Sequence, residues 1–427
     1  MFCILVLSLA FAVPLPAVQN PALPLDEEIQ RPYADLFEQW NPAEYSAAEL
    51  HALRSKIERE RDEKIDNSRK MEKQWKEELD AVRRELAALN KGSSYDTTAA
   101  SDRRARLHTD IASLERSIKD KTREREHTIP AAYETQLAKL WLLGRWPDRH
   151  AKIVRRIDDG RARERRHGNV EDIGYRKLVK HPEKDIEAGE QAARQMVAGG
   201  WLPPELQDVE VQLYVRRLAE KIAVNSDLKV PLHLTVLDSA QPKAIALPGY
   251  VFVTSGVLGS ARSEAEFAGV LSREIARLAA QHATQVSTRS LASRIFMPVA
   301  QIATGLFTGG ISPGANYGIG YGMQGLNGIV DRLLNGSNEK YPMEADQLGA
   351  QYAWKAGYDP RGFVGFLDSL TAEEKTDLVG KEPPLQKRLL NLFSEIEYLP
   401  TLEHPVVNSP EFEHARQRVL AAQSSYR

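Results

Sequence analysis

Between Ser46 and His127 the chain is dense in Lys, Arg, Glu and Asp, and its few apolar residues keep a fixed rhythm: Trp75, Leu79, Val82, Leu86 and Leu89 recur at a 4-3-4-3 spacing. That spacing is the seam of a coiled coil, in which one narrow stripe of each helix faces its partner. The turn-rich run Lys91-Gly92-Ser93-Ser94-Tyr95-Asp96-Thr97-Thr98 interrupts the seam, and Leu107, Ile111, Leu114 and Ile118 then resume it. The pattern predicts a helical hairpin folded back on itself, with a parallel dimer as the rival arrangement. Acids and bases are interleaved along it, which reads as a solvated helix face and not as a nucleic-acid contact. The functional expectation for 46–127 is an arm for partner binding or self-association.

A more apolar helix is expected around Leu137, Leu140, Trp141 and Leu142, followed by a basic stretch from Arg155-Arg156 to Arg165-Arg166 that leads through His167-Gly168 into a differently composed region. The boundaries expected from these shifts are a signal peptide over 1–19, a linker over 20–45, the charged hairpin over 46–166, a second domain over 167–400 and a tail over 401–427. With 427 residues, 42% of them apolar, the chain is long enough for a sizeable core, and a formal net charge of −2 argues against a global nucleic-acid or membrane-surface role.

The apolar run Phe2–Val13 is too short to span a bilayer and precedes small residues and prolines, as a secretory signal does, although no Lys or Arg stands before it. Export to the periplasm or cell envelope is expected. The one cysteine, Cys3, lies inside that run, so the rest of the chain carries no disulfide, no thiol nucleophile and no Cys-type zinc site.

Beyond His167 the pattern changes. Val209 to Ala223 has helical periodicity, Leu232–Leu237 reads as a strand ending at Asp238-Ser239, and Ala244–Leu258 reads as an extended pair about the Pro248-Gly249 turn. Ser263, with acids behind it, opens a helix that contains Ser272-Arg273-Glu274-Ile275-Ala276-Arg277. An H-E-x-x-H helix places two histidines at i and i+4 on one face to hold zinc, while its Glu activates the metal-bound water. Here Glu274 stands in that frame and both histidine positions are arginine, which has no lone pair for a metal and stays protonated. Taken alone, Arg-Glu-x-x-Arg is ordinarily an exposed ion-pair face of a helix.

Four landmarks in register resemble the zinc metallopeptidase family of the CAAX prenyl endopeptidase and the bacterial periplasmic chaperone-proteases, metallopeptidase family forty-eight. They are Lys243–Tyr250, similar to the family's Asn-Ala-Phe-Ala-Leu-Pro-Gly-Gly strand pair; Glu264–Leu271, similar to its helix approach; Glu344-Ala345-Asp346-Gln347-Leu348-Gly349, similar to its Glu-Ala-Asp-x-x-Gly helix; and Ala356-Gly357-Tyr358-Asp359-Pro360. The likeness runs from about Gly168 to Leu392. It implies an α+β, mostly helical fold: a gluzincin-like metallopeptidase domain with a small sheet, preceded by the charged coiled-coil hairpin.

The resemblance also assigns positions. The two ligand histidines correspond to Arg273 and Arg277, and the third ligand, a Glu, falls on Pro342. Glu274 matches the general base, His282 a histidine one turn further along the same helix, and Asp346 the acid that orients the first ligand histidine. The family's Ser/Thr-His-Pro element corresponds to Lys381-Glu382-Pro383, and Ala246, Leu247, Pro248 and Gly249 to the strand edge that holds substrate. Glu344 is a one-turn alternative to Pro342, but it projects about 200° away on a helix. With Arg273 in place of a histidine, an Arg273–Asp346 ion pair is expected where the metal would be.

Residues 304–322 are glycine-rich and apolar without phosphate-loop spacing, which argues against nucleotide binding and leaves a lid or membrane-touching plug and a plain surface loop as alternatives. The favoured reading of the whole is an inactive pseudopeptidase that binds protein or peptide in its cleft as a scaffold of the cell envelope, with no cofactor. The alternative is an active zinc endopeptidase with an unfamiliar ligand set such as Glu274, His282, Glu344 and Glu382. A third view makes the hairpin the functional element and the second domain its support.

Overall fold

A computed structural model describes residues 23–38, 45–91, 98–179, 186–198, 202–280, 340–371, 374–375, 378 and 384–425. The apolar run 2–13, segment 304–322, His282 and Glu382 lie outside the described residues.

The chain opens with two short helices, α1 (Leu25–Glu28) and α2 (Tyr33–Glu38), and then the long α3 (Ala47–Lys91) and α4 (Thr98–Arg123). At about 1.5 Å per residue α3 is on the order of 65–70 Å long. α4 runs back along it: Arg83 pairs with Glu115 at 2.7 Å, Arg103 with Glu85 at 2.6 Å, and the Ser68 hydroxyl donates to the Lys121 carbonyl at 3.3 Å. Contacts whose residue numbers fall in one helix as they rise in the other define an antiparallel hairpin within one chain. Leu79 and Leu107 are buried in the seam while Trp75, Val82, Leu86, Ile111, Leu114 and Ile118 are half-buried.

One turn of π-helix, Glu124–Thr128, joins α4 to α5 (Ile129–Asp158). Pro130 explains it. Proline has no N–H to give four residues back and its ring clashes with that carbonyl, so the ladder widens by one residue and Ile129 N–H reaches Glu124 O. α5 does not belong to a separate arm, because Leu142, Trp146 and Ile153 lie in the main core and Arg149 donates to Ser394 at 2.8 Å and to Asn391 at 3.0 Å.

The second half holds a three-stranded sheet of order β1-β3-β2, with β1 (His233–Leu237) parallel and β2 (Ala244–Leu247) antiparallel to β3 (Tyr250–Thr254). The Pro248-Gly249 turn between β2 and β3 needs a positive φ, which Gly249 supplies at 80°. Alternate residues face opposite ways. Leu247 and Phe252 pack on α6 (Ile186–Ala198) through Ala192, Ala193 and Met196, and Ala246 and Val251 pack on Leu278 of α9 (Glu264–Ala279). The extended stretch is shorter than the sequence suggested. β3 stops at Thr254, whose hydroxyl accepts from Lys243 N at 2.9 Å, and Ser255–Ser260 turns into a helix, α8. A Cβ at Gly256 would lie 2.3 Å from the Ala240 carbonyl, so only glycine lets that helix start so close to the loop.

Helices complete the fold: α7 (Val209–Val224), α10 (Lys340–Lys355), α11 (Gly362–Ser369), α12 (Leu385–Tyr398) and α13 (Pro410–Ser425). Asp208 caps α7 by accepting from Glu210 N at 3.1 Å and Val211 N at 3.2 Å, and Ser263 caps α9 by accepting from Glu266 N at 3.3 Å. α9 lies centrally, packed on α10 and α11 and over the sheet. The expectation of a mostly helical α+β fold with a small sheet holds.

Two boundaries drawn from the sequence need correction. Within 20–45, the described residues 23–38 are more than a linker: Tyr33 and Leu36 of α2 are buried in the main core, and Asp368 of α11 caps α2 by accepting from Tyr33 N at 2.9 Å and Ala34 N at 3.1 Å. Residues 401–427 are more than a tail, because α13 buries Phe412, Ala415 and Val419 in that core and Arg418 reaches Asp208 at 2.8 Å. A six-residue helix and a sixteen-residue helix carry too little apolar periodicity to be assigned to a distant core by pattern alone.

Candidate functional site

Every residue of α9 is buried, Arg273, Glu274 and Arg277 included, at 2%, 0% and 6% exposure. The exposed ion-pair face that Arg-Glu-x-x-Arg usually forms is therefore not what this helix presents. Interior charges must be paired and hydrogen-bonded to persist. Arg273 Nη1 donates to Glu274 Oε1 at 2.5 Å and its Nε donates to Asp346 Oδ1 at 3.0 Å, while Arg277 Nη1 donates to Glu274 Oε2 at 3.2 Å. Arg388 of α12 grips the far side of Asp346, Nε to Oδ2 and Nη2 to Oδ1, both at 2.7 Å. The Arg273–Asp346 contact expected from the sequence is thus present, within a wider network of three guanidinium groups and two carboxylates on α9, α10 and α12. The Arg273 guanidinium also lies 5.6 Å from the Phe363 ring centre.

The helices approach closely enough for this because Gly349 of α10 faces α9: a Cβ there would stand 2.8 Å from Arg273 Cα and 3.0 Å from its N. The glycine that ends Glu-Ala-Asp-x-x-Gly is in this chain a helix-contact residue. Gly269 does the same toward α11, where a Cβ would lie 2.4 Å from Phe363 N.

Burial alone would push the Asp346 carboxyl up, but Arg388 and Arg273 outweigh it and hold its pKa below the ordinary carboxylate value. Arg388 is lowered, chiefly by burial and further by its neighbours Arg273 and Arg277, against the pull of Asp346.

Pro342 lies buried in the first described turn of α10, where its missing N–H breaks no described ladder bond. Glu344, the alternative to it, is held elsewhere. Its Oε1 accepts from Arg166 Nη2 at 2.6 Å and lies 2.8 Å from His167 Nε2. Ala246, Leu247, Pro248 and Gly249 form the end of β2 and its turn. Among the described residues β2 is an edge strand, and its pairing leaves alternate residues facing outward. Thr254 N donates to Lys243 O at 2.9 Å, so the pairs alternate from there, and Ala244 and Ala246 direct their backbone N–H and C=O away from β3.

Arg388 was missed by the sequence reading. Its signal lay in phase: on α12, Leu385, Arg388, Leu389, Leu392, Glu395 and Ile396 share one helical stripe, so a cation and an acid stand at core positions of an otherwise apolar face. A charge in such a stripe demands an interior partner, though the stripe does not say which.

A zinc ion needs lone-pair donors, and the three positions that correspond to ligands hold two guanidinium groups and a proline, so these residues do not fit one. Among the described residues no three His, Cys, Asp or Glu side chains are grouped to hold a metal.

Residues 206–396 match peptidase family M48. The chain is 24% identical over 253 residues to the beta-barrel assembly-enhancing protease of Yersinia pestis, covering 56% of this chain and 49% of that one. It is 30% identical over 168 residues to the mitochondrial metalloendopeptidase OMA1 of Schizosaccharomyces pombe, covering 38% of this chain and 44% of that one. The chain thus spans about half the length, or less, of these curated relatives.

Proposed function

We propose that the chain is a non-catalytic member of the zinc metallopeptidase family M48, which residues 206–396 match, and that it holds extended polypeptide in its cleft instead of cleaving it. One observation carries the reading. Each carboxylate oxygen of Glu274 accepts from an arginine that stands where the family has a ligand histidine. A general base must offer a lone pair to a water; this one is fully buried and committed to two cations.

The outward-facing backbone of Ala244 and Ala246 supports peptide binding by strand addition, with main-chain hydrogen bonds supplying affinity independent of a metal. A place in the cell envelope is supported by the apolar run Phe2–Val13 and by a relative named for beta-barrel assembly. Among the described residues no helix is long and apolar enough to cross a membrane. The hairpin of α3 and α4 would serve as an arm for a partner protein. An active enzyme using Glu274, His282, Glu344 and Glu382 is disfavoured, because the two of these that are described are both engaged by cations.

The test is to incubate the chain with zinc and a fluorescently labelled unfolded protein, following both cleavage and binding. Saturable binding without cleavage is expected, and Ala246→Pro, which removes an outward N–H without removing a hydrogen bond to β3, should weaken it. Zinc-dependent cleavage abolished by Glu274→Gln would sink the proposal.

A further inference from the structure

The segment joining the arm to the peptidase-family domain is held by a constellation on α10 and α12 that recognises one side chain in detail. Glu395 is 3% exposed, and each of its oxygens takes two donors. Oε1 accepts from Gln351 Nε2 at 2.7 Å and from Arg165 Nη2 at 3.4 Å; Oε2 accepts from Gln347 Nε2 at 3.0 Å and from Arg165 Nη1. The Arg165 guanidinium lies 3.5 Å from the centre of the Tyr398 ring, and its Nε is taken by the Ala162 carbonyl at 2.9 Å. A carboxylate fork facing one edge of a guanidinium and an aromatic ring on its plane is how proteins select arginine over lysine.

The same two glutamines read the backbone beside it. Gln347 Nε2 donates to Arg166 O at 2.9 Å and Gln351 Nε2 to His167 O at 2.8 Å, and Gln351 is itself oriented by Arg176, Nη1 to Oε1 at 2.7 Å. His167 sits at φ 57°, an uncommon conformation for a residue with a Cβ, and it persists where the surroundings over-determine it. Side-chain fork, ring and two main-chain carbonyls are the contacts a peptide-binding site makes with a ligand.

We infer that Glu395, Tyr398, Gln347 and Gln351 form a binding site for an arginine-bearing turn, filled in cis by Arg165–His167, where Gly168 N donates to Arg165 O at 2.8 Å. The chain carries its own ligand. The linking segment is fixed by recognition and not only by connectivity, and an arginine segment from elsewhere binds only where Arg165 has been removed.

The test uses the full chain with Arg165→Ala, thermal melting as readout, and three additives: methylguanidinium, its neutral analogue N-methylurea, and the peptide acetyl-Arg-Arg-His-Gly-amide. The variant should melt roughly 5–10 °C lower, because a buried carboxylate loses its cation. Methylguanidinium and the peptide should recover part of that loss saturably in the variant, with N-methylurea inactive and the wild type unresponsive. Equal effects of N-methylurea, equal effects on the wild type, or no recovery would overturn the inference. Should the variant not fold, hydrogen exchange of the wild type decides: protection of the Gly168 amide, which donates to Arg165 O at 2.8 Å, should match that of α12, and exchange at the rate of an open loop refutes the site.

Discussion

Replacing Asp346 by asparagine keeps shape and removes charge, and it isolates what holds the centre of the domain together. Asp346 accepts three hydrogen bonds, from Arg273 Nε at 3.0 Å and from Arg388 Nε and Nη2 at 2.7 Å each. An asparagine retains one acceptor oxygen but presents N–H groups to the other side, so at least one arginine donor faces a donor. Arg273 and Arg388 are both 2% exposed, so neither can turn to water. Charge-assisted hydrogen bonds contribute about 1.5–3 kcal/mol each, and because the three share one carboxylate they do not sum; removing one partner of a buried pair costs roughly 3–5 kcal/mol, the figure expected here. Against a typical total of about 5–15 kcal/mol that is a large share.

Urea denaturation at neutral pH, followed by tryptophan fluorescence, reads the loss as a lower midpoint. The pH dependence supplies a second check. The folded Asp346 carboxyl is depressed below its ordinary 3.8, so its contribution is present above that pH and is lost as pH falls through the depressed value. The gap between wild type and Asp346→Asn should therefore narrow in acid. A cost below about 1 kcal/mol, or a gap that widens in acid, would refute the claim that this carboxylate anchors the arginines.

Gly349→Ala should destabilise by about 1–3 kcal/mol, because its Cβ would meet the Arg273 backbone, and thermal unfolding measures this. Leu36→Ala should cost about 2–5 kcal/mol in the same assay, although Leu36 lies in a segment that reads as a linker. Arg273→His with Arg277→His should gain no stoichiometric zinc, since Pro342 still offers no ligand, whereas adding Pro342→Glu should create a site detectable by zinc titration.

The parts of the fold carried by short-range chemistry were legible in the sequence. The Ser263 cap and the Pro248-Gly249 turn each depend on residues within a few positions of one another, and both formed as read. The Arg273–Asp346 contact was legible only through the family resemblance, because 73 residues separate its partners. What stayed hidden shares one property. Arg388 with Asp346, Arg165 with Glu395 and Asp368 with the α2 backbone are single polar side chains answered from 42, 230 and over 330 residues away, and no local pattern encodes the partner. A charge in phase with an apolar stripe, such as Arg388 or Glu395 on α12, was the available sign that such partners exist.

The proposal that Arg273 and Arg277 stand where relatives would hold a metal is tested most directly by the zinc content of the purified chain, measured by elemental mass spectrometry on protein exposed to neither chelator nor added zinc. The account predicts a stoichiometry near zero, unchanged by Glu274→Gln. About one zinc per chain would contradict it, and would make Glu274, His282, Glu344 and Glu382 the first residues to mutate.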